Sequence, residues 1–288
     1  MIRFGPAGNS ESFYNAGNKS SVDAPKWLNS IGLNAYEYQC NKGVNISLNK
    51  AKEIGIEANK YNILLSIHAP YYINFGSQER EKLDKSKEYI YKCLEVAKEM
   101  KAERIVFHPG SCAKVDRDIA FNTALKSIKE MIYTVKDIGF NDIFLCPETM
   151  GKKNNLGSVD EIIEICMLDD MLLPTIDFGH VNAFNGGILK TKSDFVDLLK
   201  KFINKLGYDR MKHFHSHFSR IEYTQQGEKR HLNYDDEGYG PEFNPLAEAL
   251  IKLDLEPVII CESRDYMSED ALKFKNIYSE ILKEKEEN

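Results

Sequence analysis

No run of apolar residues in this sequence approaches 18, so none reads as a membrane-spanning helix. The opening stretch, MIRFGPAGNS, lacks the apolar core of a targeting signal, and the expected location is the cytoplasm. Basic residues are outnumbered, 38 to 44, leaving a net charge of −6. That argues against a general polyanion binder, because affinity for DNA phosphates rests on Lys and Arg. It does not exclude a site whose positive charge comes from bound ions, which formal counts omit. The six cysteines include no C-x-x-C pair, and Cys146 and Cys261 lie in apolar runs where a free thiol acts as a small hydrophobe, as in a reducing compartment. There is no G-x-G-x-x-G and no P-loop, the marks of many open nucleotide-binding sheets. No Pro/Ser/Gly linker is long enough to separate domains. Histidine is scarce, seven in 288 residues, yet three crowd into KHFHSH at 212–217.

What the sequence does have is a regular alternation. Short apolar runs at 1–5, 33–39, 63–68, 104–109, 142–148, 173–178, 211–217 and 257–263 read as strands. Between them, 47–61, 80–100, 116–138, 158–170, 191–206 and 243–253 have helical spacing, and a charged helix is expected from about 267 to 285. Leu48, Ala51, Ile54 and Ile56 form one apolar stripe; Leu83, Ile90, Leu94 and Ala97 form another. SVDE at 158–161 has the form of a capping box. Eight strands alternating with helices predict an α/β fold, a (β/α)8 TIM barrel forming a single domain over 1–288. A doubly wound open sheet is the other arrangement considered.

The residues that ligate metals fall at the ends of these strands. His68 ends the third, His108 the fourth, Glu148 the fifth and Asp177 the sixth, with His180 three places on. His215 lies at the end of the seventh, His231 in the loop after it, and Glu262 at the end of the eighth. In a barrel these ends converge on one rim, where the active sites of the fold sit. A single tetrahedral ion needs only four ligands; the surplus of carboxylates suits bridged ions, as in two-metal hydrolytic sites. Any one of these residues alone is more often a satisfied structural group. Eight placed together on one rim are hard to obtain by chance.

In KHFHSH, alternate side chains point to one face of a strand. His215 is taken as the ligand, His213 as a hydrogen-bonded core residue one layer deeper, and His217 as a group past the strand end, facing substrate.

SIHAPYYINF, VFHPG, CPETMGKK, TIDFGHVNAF, FHSH, RHLN and ICES occur in this order over nearly the whole chain. As an ordered set they resemble endonuclease IV, the metal-dependent apurinic/apyrimidinic endonuclease family. The resemblance implies zinc held by His68, His108 and Glu148. Glu148 would bridge to a second zinc completed by Asp177, His215 and Glu262. A third zinc would use His180 and His231 with an Asp whose place is taken here by Lys229, in GEKRH. An ammonium repels zinc, so either Glu228, Asp235 or Asp236 substitutes, or the third site is weak or empty. Two zinc ions are therefore expected and the third is left open.

The resemblance further implies hydrolysis of double-stranded DNA 5′ to abasic sites, with Glu148 and Glu262 as catalytic residues. Tyr71 aligns with a tyrosine that enters the DNA. Gln39 and Lys42 stand in the loop where bacterial members carry an inserting arginine. Lys152, Lys153, Lys229 and Arg230 are candidate phosphate contacts. A monomer is expected. Two other functions compete: a sugar isomerase or epimerase of the related xylose-isomerase-like barrels, using one divalent metal, and a non-catalytic metal-dependent binding module.

Overall fold

The computed structural model describes residues 1–287. Eight parallel strands follow one another in chain order: β1 (Arg3–Pro6), β2 (Ala35–Gln39), β3 (Leu64–His68), β4 (Arg104–Phe107), β5 (Phe144–Pro147), β6 (Thr175–Asp177), β7 (His215–Phe218) and β8 (Val258–Cys261). Ladders join β2–β3–β4–β5 and β6–β7–β8–β1. Single parallel bridges, Ala7 to Glu37 and Glu148 to Thr175, close the two halves into a ring. This is the expected TIM barrel. Closure leaves no open edge, because each strand is paired on both sides.

Helices pack outside. The stripe on Leu48–Tyr61 is narrower than the sequence predicts: Ala51, Ile54 and Ala58 are buried, whereas Leu48 and Ile56 face solvent. Ile56 lies two residues from Ile54, about 200° around a 3.6-residue turn, and so falls on the opposite side. Arg80–Met100 buries Ile90, Leu94 and Ala97 as expected. Ser158 caps Val159–Cys166 in a complete capping box with Glu161. That helix ends at Cys166 rather than near 170, where Arg210 gathers the carbonyls of Cys166, Asp169 and Leu172 into a turn.

Among the features that the sequence does not predict, three bear on the site. A short helix, Phe178–Phe184, starts directly on β6. An antiparallel hairpin, Arg220–Thr224 with Gly227–Leu232, leaves the end of β7. A second short helix, Tyr208–Lys212, occupies the first part of the predicted seventh strand. No helix among the described residues is long and apolar enough to cross a membrane.

Candidate metal centre

The late start of β7 decides which histidine reaches the rim. In the parallel register, His217 lies opposite Asp177 on one side and Ile260 on the other, while His215 lies opposite Thr175 and Val258, one layer down. The assignment of His215 to the Asp177–Glu262 group is therefore corrected: His217 stands there. His213 is not a core residue either; it is exposed below the barrel, its Nδ1 3.2 Å from the Glu256 carbonyl.

At the rim, ligand atoms cluster around Glu148, which is fully buried. Its Oε2 lies 3.3 Å from His68 Nε2 and 3.1 Å from His108 Nε2. Its Oε1 lies 3.1 Å from His217 Nδ1 and 3.3 Å from His180 Nδ1. Glu262 Oε2 stands 3.4 Å from His217 Nδ1. Thus His68, His108 and Glu148 form one group with ligand spacing, and Glu148, Asp177, His217 and Glu262 a second. The two oxygens of Glu148 face different groups.

Asp177 is set by a local device. It is the N-cap of Phe178–Phe184, its Oδ1 accepting the His180 N–H at 2.7 Å. This leaves Oδ2 fully buried without a hydrogen-bond partner. The D-x-x-H spacing therefore does two things: Asp177 caps the helix, and His180, in its first turn, is held beside the cluster. His180 Nδ1 lies 3.0 Å from the Thr149 carbonyl, which accepts its N–H and leaves Nε2 turned toward the hairpin. His68 is arranged alike, with Nδ1 2.8 Å from the Ala69 carbonyl and Nε2 toward Glu148.

A third group consists of His180, Glu228 and His231. Glu228 Oε2 is 3.4 Å from His180 Nε2, and its Oε1 is 3.9 Å from His231 Nε2. Of the three acids that could replace the missing Asp, Glu228 stands at the place; Asp235 instead pairs with Lys273, and Asp236 accepts from the Asn233 N–H. The cause is a β-bulge. Ile221 pairs with His231 and Glu222 with Arg230, but Tyr223 pairs with Glu228, so Lys229 is the extra residue. Without it, residues three apart on a strand would face opposite ways; the bulge turns Glu228 and His231 to one side. Lys229 and Arg230 turn to the other, both salt-bridged to Glu222 at 2.6 Å. The ammonium that would repel an ion is thereby directed away.

The hairpin is docked on the loop after β5. Glu228 N–H donates to the Gly151 carbonyl at 2.9 Å and Lys153 N–H to the Gln226 carbonyl at 3.1 Å. A Cβ on Gly227, whose φ is +90°, would lie 2.1 Å from the Gly151 oxygen, so only glycine allows this approach.

Charge in the cluster is one-sided. Burial pushes the Glu148 carboxyl up, but His217, with hydrogen bonds from His108 and His180, outweighs it and holds the group well below the usual carboxylate range. Burial likewise opposes, and His217 overcomes, the shift that takes Glu262 down to about 2. Asp177 is pushed up to about 6 by burial, against the pull of His180. His68 is raised to about 9, burial being outweighed by Glu148. Several buried carboxylates thus demand positive charge from the imidazoles. Together with Asp177 Oδ2, which accepts no hydrogen bond and lies 3.3 Å from His180 Nδ1, this donor set fits divalent metal ions that accept N and O ligands.

The rim residues enclose a pit of about 390 Å³, also lined by Gln39, Tyr71, Met150, Lys152 and Asn155. Tyr71 is 46% exposed beside the equally open Tyr72, their rings 4.5 Å apart. Gln39 turns inward, its Nε2 donating to Glu37 Oε1 at 3.1 Å, so it is a wall of the pit rather than a wedge reaching outward. Lys42 is exposed on its loop, and Arg230 faces solvent outside the pit. Lys152 Nζ is 3.8 Å from Glu228, whereas Lys153 lies over the Phe184 ring. Glu37 itself was not singled out in the sequence; it sits mid-strand in AYEYQ, where a single acidic residue gives no sign of its depth.

Known proteins resemble this chain in sequence and in fold. An uncharacterized protein of Methanocaldococcus jannaschii is 32% identical over 254 residues, 88% of this chain and 90% of that protein. A probable endonuclease 4 of Ureaplasma urealyticum is 29% identical over 62% of this chain, which spans 57% of that relative's length. Among solved structures, a D-tagatose 3-epimerase-like protein matches with a TM-score of 0.72 at 23% identity, over 92% of this chain and 97% of that one. Endonuclease IV from Thermus thermophilus matches with a TM-score of 0.64 at 18% identity, over 98% and 99%. At such identities the likeness to these structures establishes the fold. A family model covers residues 25–277, and with it the chain belongs to the xylose isomerase-like TIM barrel family.

Proposed function

We propose that this protein is a zinc-dependent endonuclease that hydrolyses the phosphodiester 5′ to abasic sites in double-stranded DNA, acting as a cytoplasmic monomer. One observation carries the reading: the rim holds three adjoining ligand groups, not one, and Glu148 divides its oxygens between two of them. A one-metal isomerase needs only Glu148, Asp177, His217 and Glu262. His68, His108, His180, Glu228 and His231 would be surplus to it. The relatives named probable endonuclease 4 support the same reading.

His68, His108 and Glu148 would hold one ion; Glu148, Asp177, His217 and Glu262 a second; and His180, Glu228 and His231 a third. When bound, such ions supply the Lewis acidity that activates water and neutralises a phosphoryl group. The chain's own part is position and proton control. Glu148 sets the spacing between groups. Glu262, at the pit wall with its side chain 16% exposed, is placed to orient the attacking water and take its proton. Tyr71 stands where a rim aromatic can fill the space of a missing base, and an abasic nucleotide is cheap to extrude because it has no base to unstack. Lys152 offers a positive charge to a phosphate at the wall.

The test is incision of a duplex carrying one abasic-site analogue, with undamaged duplex as control and the metal content measured on the same sample. Cleavage 5′ to the lesion, leaving a 3′-hydroxyl, with three zinc per chain is the expected result. A second reading, a sugar epimerase, is favoured by the net charge of −6 and by the sufficiency of the four-residue group for one ion. One metal per chain, turnover of a ketose and no incision would establish it instead.

A further inference from the structure

Glu37 lies inside the barrel beneath the pit, fully buried, in a position where a carboxylate is rarely kept unless paired. Both its oxygens are engaged. Ser66 Oγ donates to Oε2 at 2.8 Å, and His215 Nε2 lies 2.9 Å from the same atom. Gln39 Nε2 donates to Oε1 at 3.1 Å, and His217 Nε2 stands 3.0 Å from it in an ion-pair contact that lacks hydrogen-bond geometry, with no other hydrogen-bond partner for that nitrogen. His217 thus has a carboxylate on each side: Glu37 below at Nε2, and Glu148 and Glu262 above at Nδ1. An imidazole can hold its proton on one nitrogen and offer a lone pair from the other, and its neighbours select which.

We propose that Glu37 is a positioning residue for the metal centre: it holds the proton of His217 on Nε2 and so aims the Nδ1 lone pair at the Glu148–Asp177–Glu262 group. Ser66 and His215 hold Glu37 in turn, which gives the inward-facing His215 a role without direct access to the pit. The arrangement is a carboxylate–histidine–metal relay built across three strands, β2, β3 and β7. The proposal rests on the reading of the rim as a metal site, but not on DNA as the substrate.

The experiment compares zinc affinities of the full chain and Glu37→Gln by chelator competition, with the proton position on His217 read from ¹⁵N–¹H spectra of the zinc-loaded protein. Glu37→Gln keeps the shape and removes the charge. Its expected effect is a roughly 10- to 100-fold loss of affinity at one site, with the His180–Glu228–His231 site unchanged and the Nε2–H signature of His217 weakened or lost. Ser66→Ala, which removes one hydrogen bond to Glu37, is expected to lower the same affinity by roughly two- to tenfold, and it carries the test if Glu37→Gln does not fold. Unchanged affinity in a folded variant overturns the proposal. So does an equal loss at every site, which a merely structural role would give, or a fourth ion that disappears with Glu37, which would make Glu37 a ligand. A wild-type protein that binds no metal overturns both this proposal and the functional reading. Selective weakening with no incision by the wild type sustains Glu37 and overturns the endonuclease.

Discussion

Replacing Glu161 with alanine tests the support of the hairpin side of the pit without touching any group at the rim. Glu161 accepts Arg117 Nε at 2.8 Å and Nη2 at 2.7 Å, and the N–H groups of Gly157 and Ser158 at 2.8 Å each. The same guanidinium donates to the carbonyls of Lys153 and Asn155, so the pair clamps the loop on which the hairpin rests. Breaking a buried ion pair costs about 3–5 kcal/mol. Here Arg117 is 32% exposed and keeps its two carbonyls, so about 2 kcal/mol is the better figure for the pair. Loss of the capping interactions adds about 1 kcal/mol, giving a total of ~3 kcal/mol. With 288 residues at about 2.1 cal/mol/K each, the unfolding entropy is roughly 0.6 kcal/mol/K, and the Tm should fall by roughly 5 °C.

The pH dependence has a definite sign. Burial pushes the Glu161 carboxyl up, but Arg117 and the two backbone N–H groups overcome this and hold it below the ordinary value of 4.5. A depressed carboxylate stabilises fully above its unfolded value and loses that contribution as pH falls through the folded one. The Tm gap between wild type and variant, followed by calorimetry, should therefore be constant near neutrality and close below pH 4.5. A gap under about 2 °C at neutral pH, or one that persists undiminished in acid, refutes the reasoning.

Other outcomes follow from the site. Glu228→Gln removes the only carboxylate of the third group and should reduce bound zinc from three to two per chain, with at least a roughly 100-fold loss of affinity for that ion; elemental analysis after dialysis reads it, and three retained ions would show that Glu228 is no ligand. Deleting Lys229 removes the bulge but leaves Glu228 and His231 two residues apart, again on one face of a regular strand, so the third ion should be retained in metal titrations of the shortened chain. Glu262→Gln should lower kcat for incision by roughly 10²–10⁴ with little change in duplex affinity; a rate within a few-fold of wild type would remove it from the chemistry.

The alternation of apolar runs and helical stripes points to a parallel α/β fold, because strands of a buried parallel sheet are apolar and separated by amphipathic helices; the count of eight favoured the barrel over an open sheet. The placement of His68, His108, Glu148, Asp177 and Glu262 at strand ends was legible for the same reason: strand direction and barrel closure bring every C-terminus to one rim. Three assignments depended on contacts between segments distant in sequence. In KHFHSH a period of two makes His213, His215 and His217 equivalent, and only the register of β7 against β6 and β8 sets their depths. Glu228 joins His231 because the partner strand leaves Lys229 unpaired, and a bulge is a property of two strands rather than one. Glu37 looks like an ordinary surface acid in AYEYQ until the closed ring buries it against Ser66, His215 and His217. Sequence periodicity determines which face a side chain takes; its depth and neighbours are determined by pairing across the barrel.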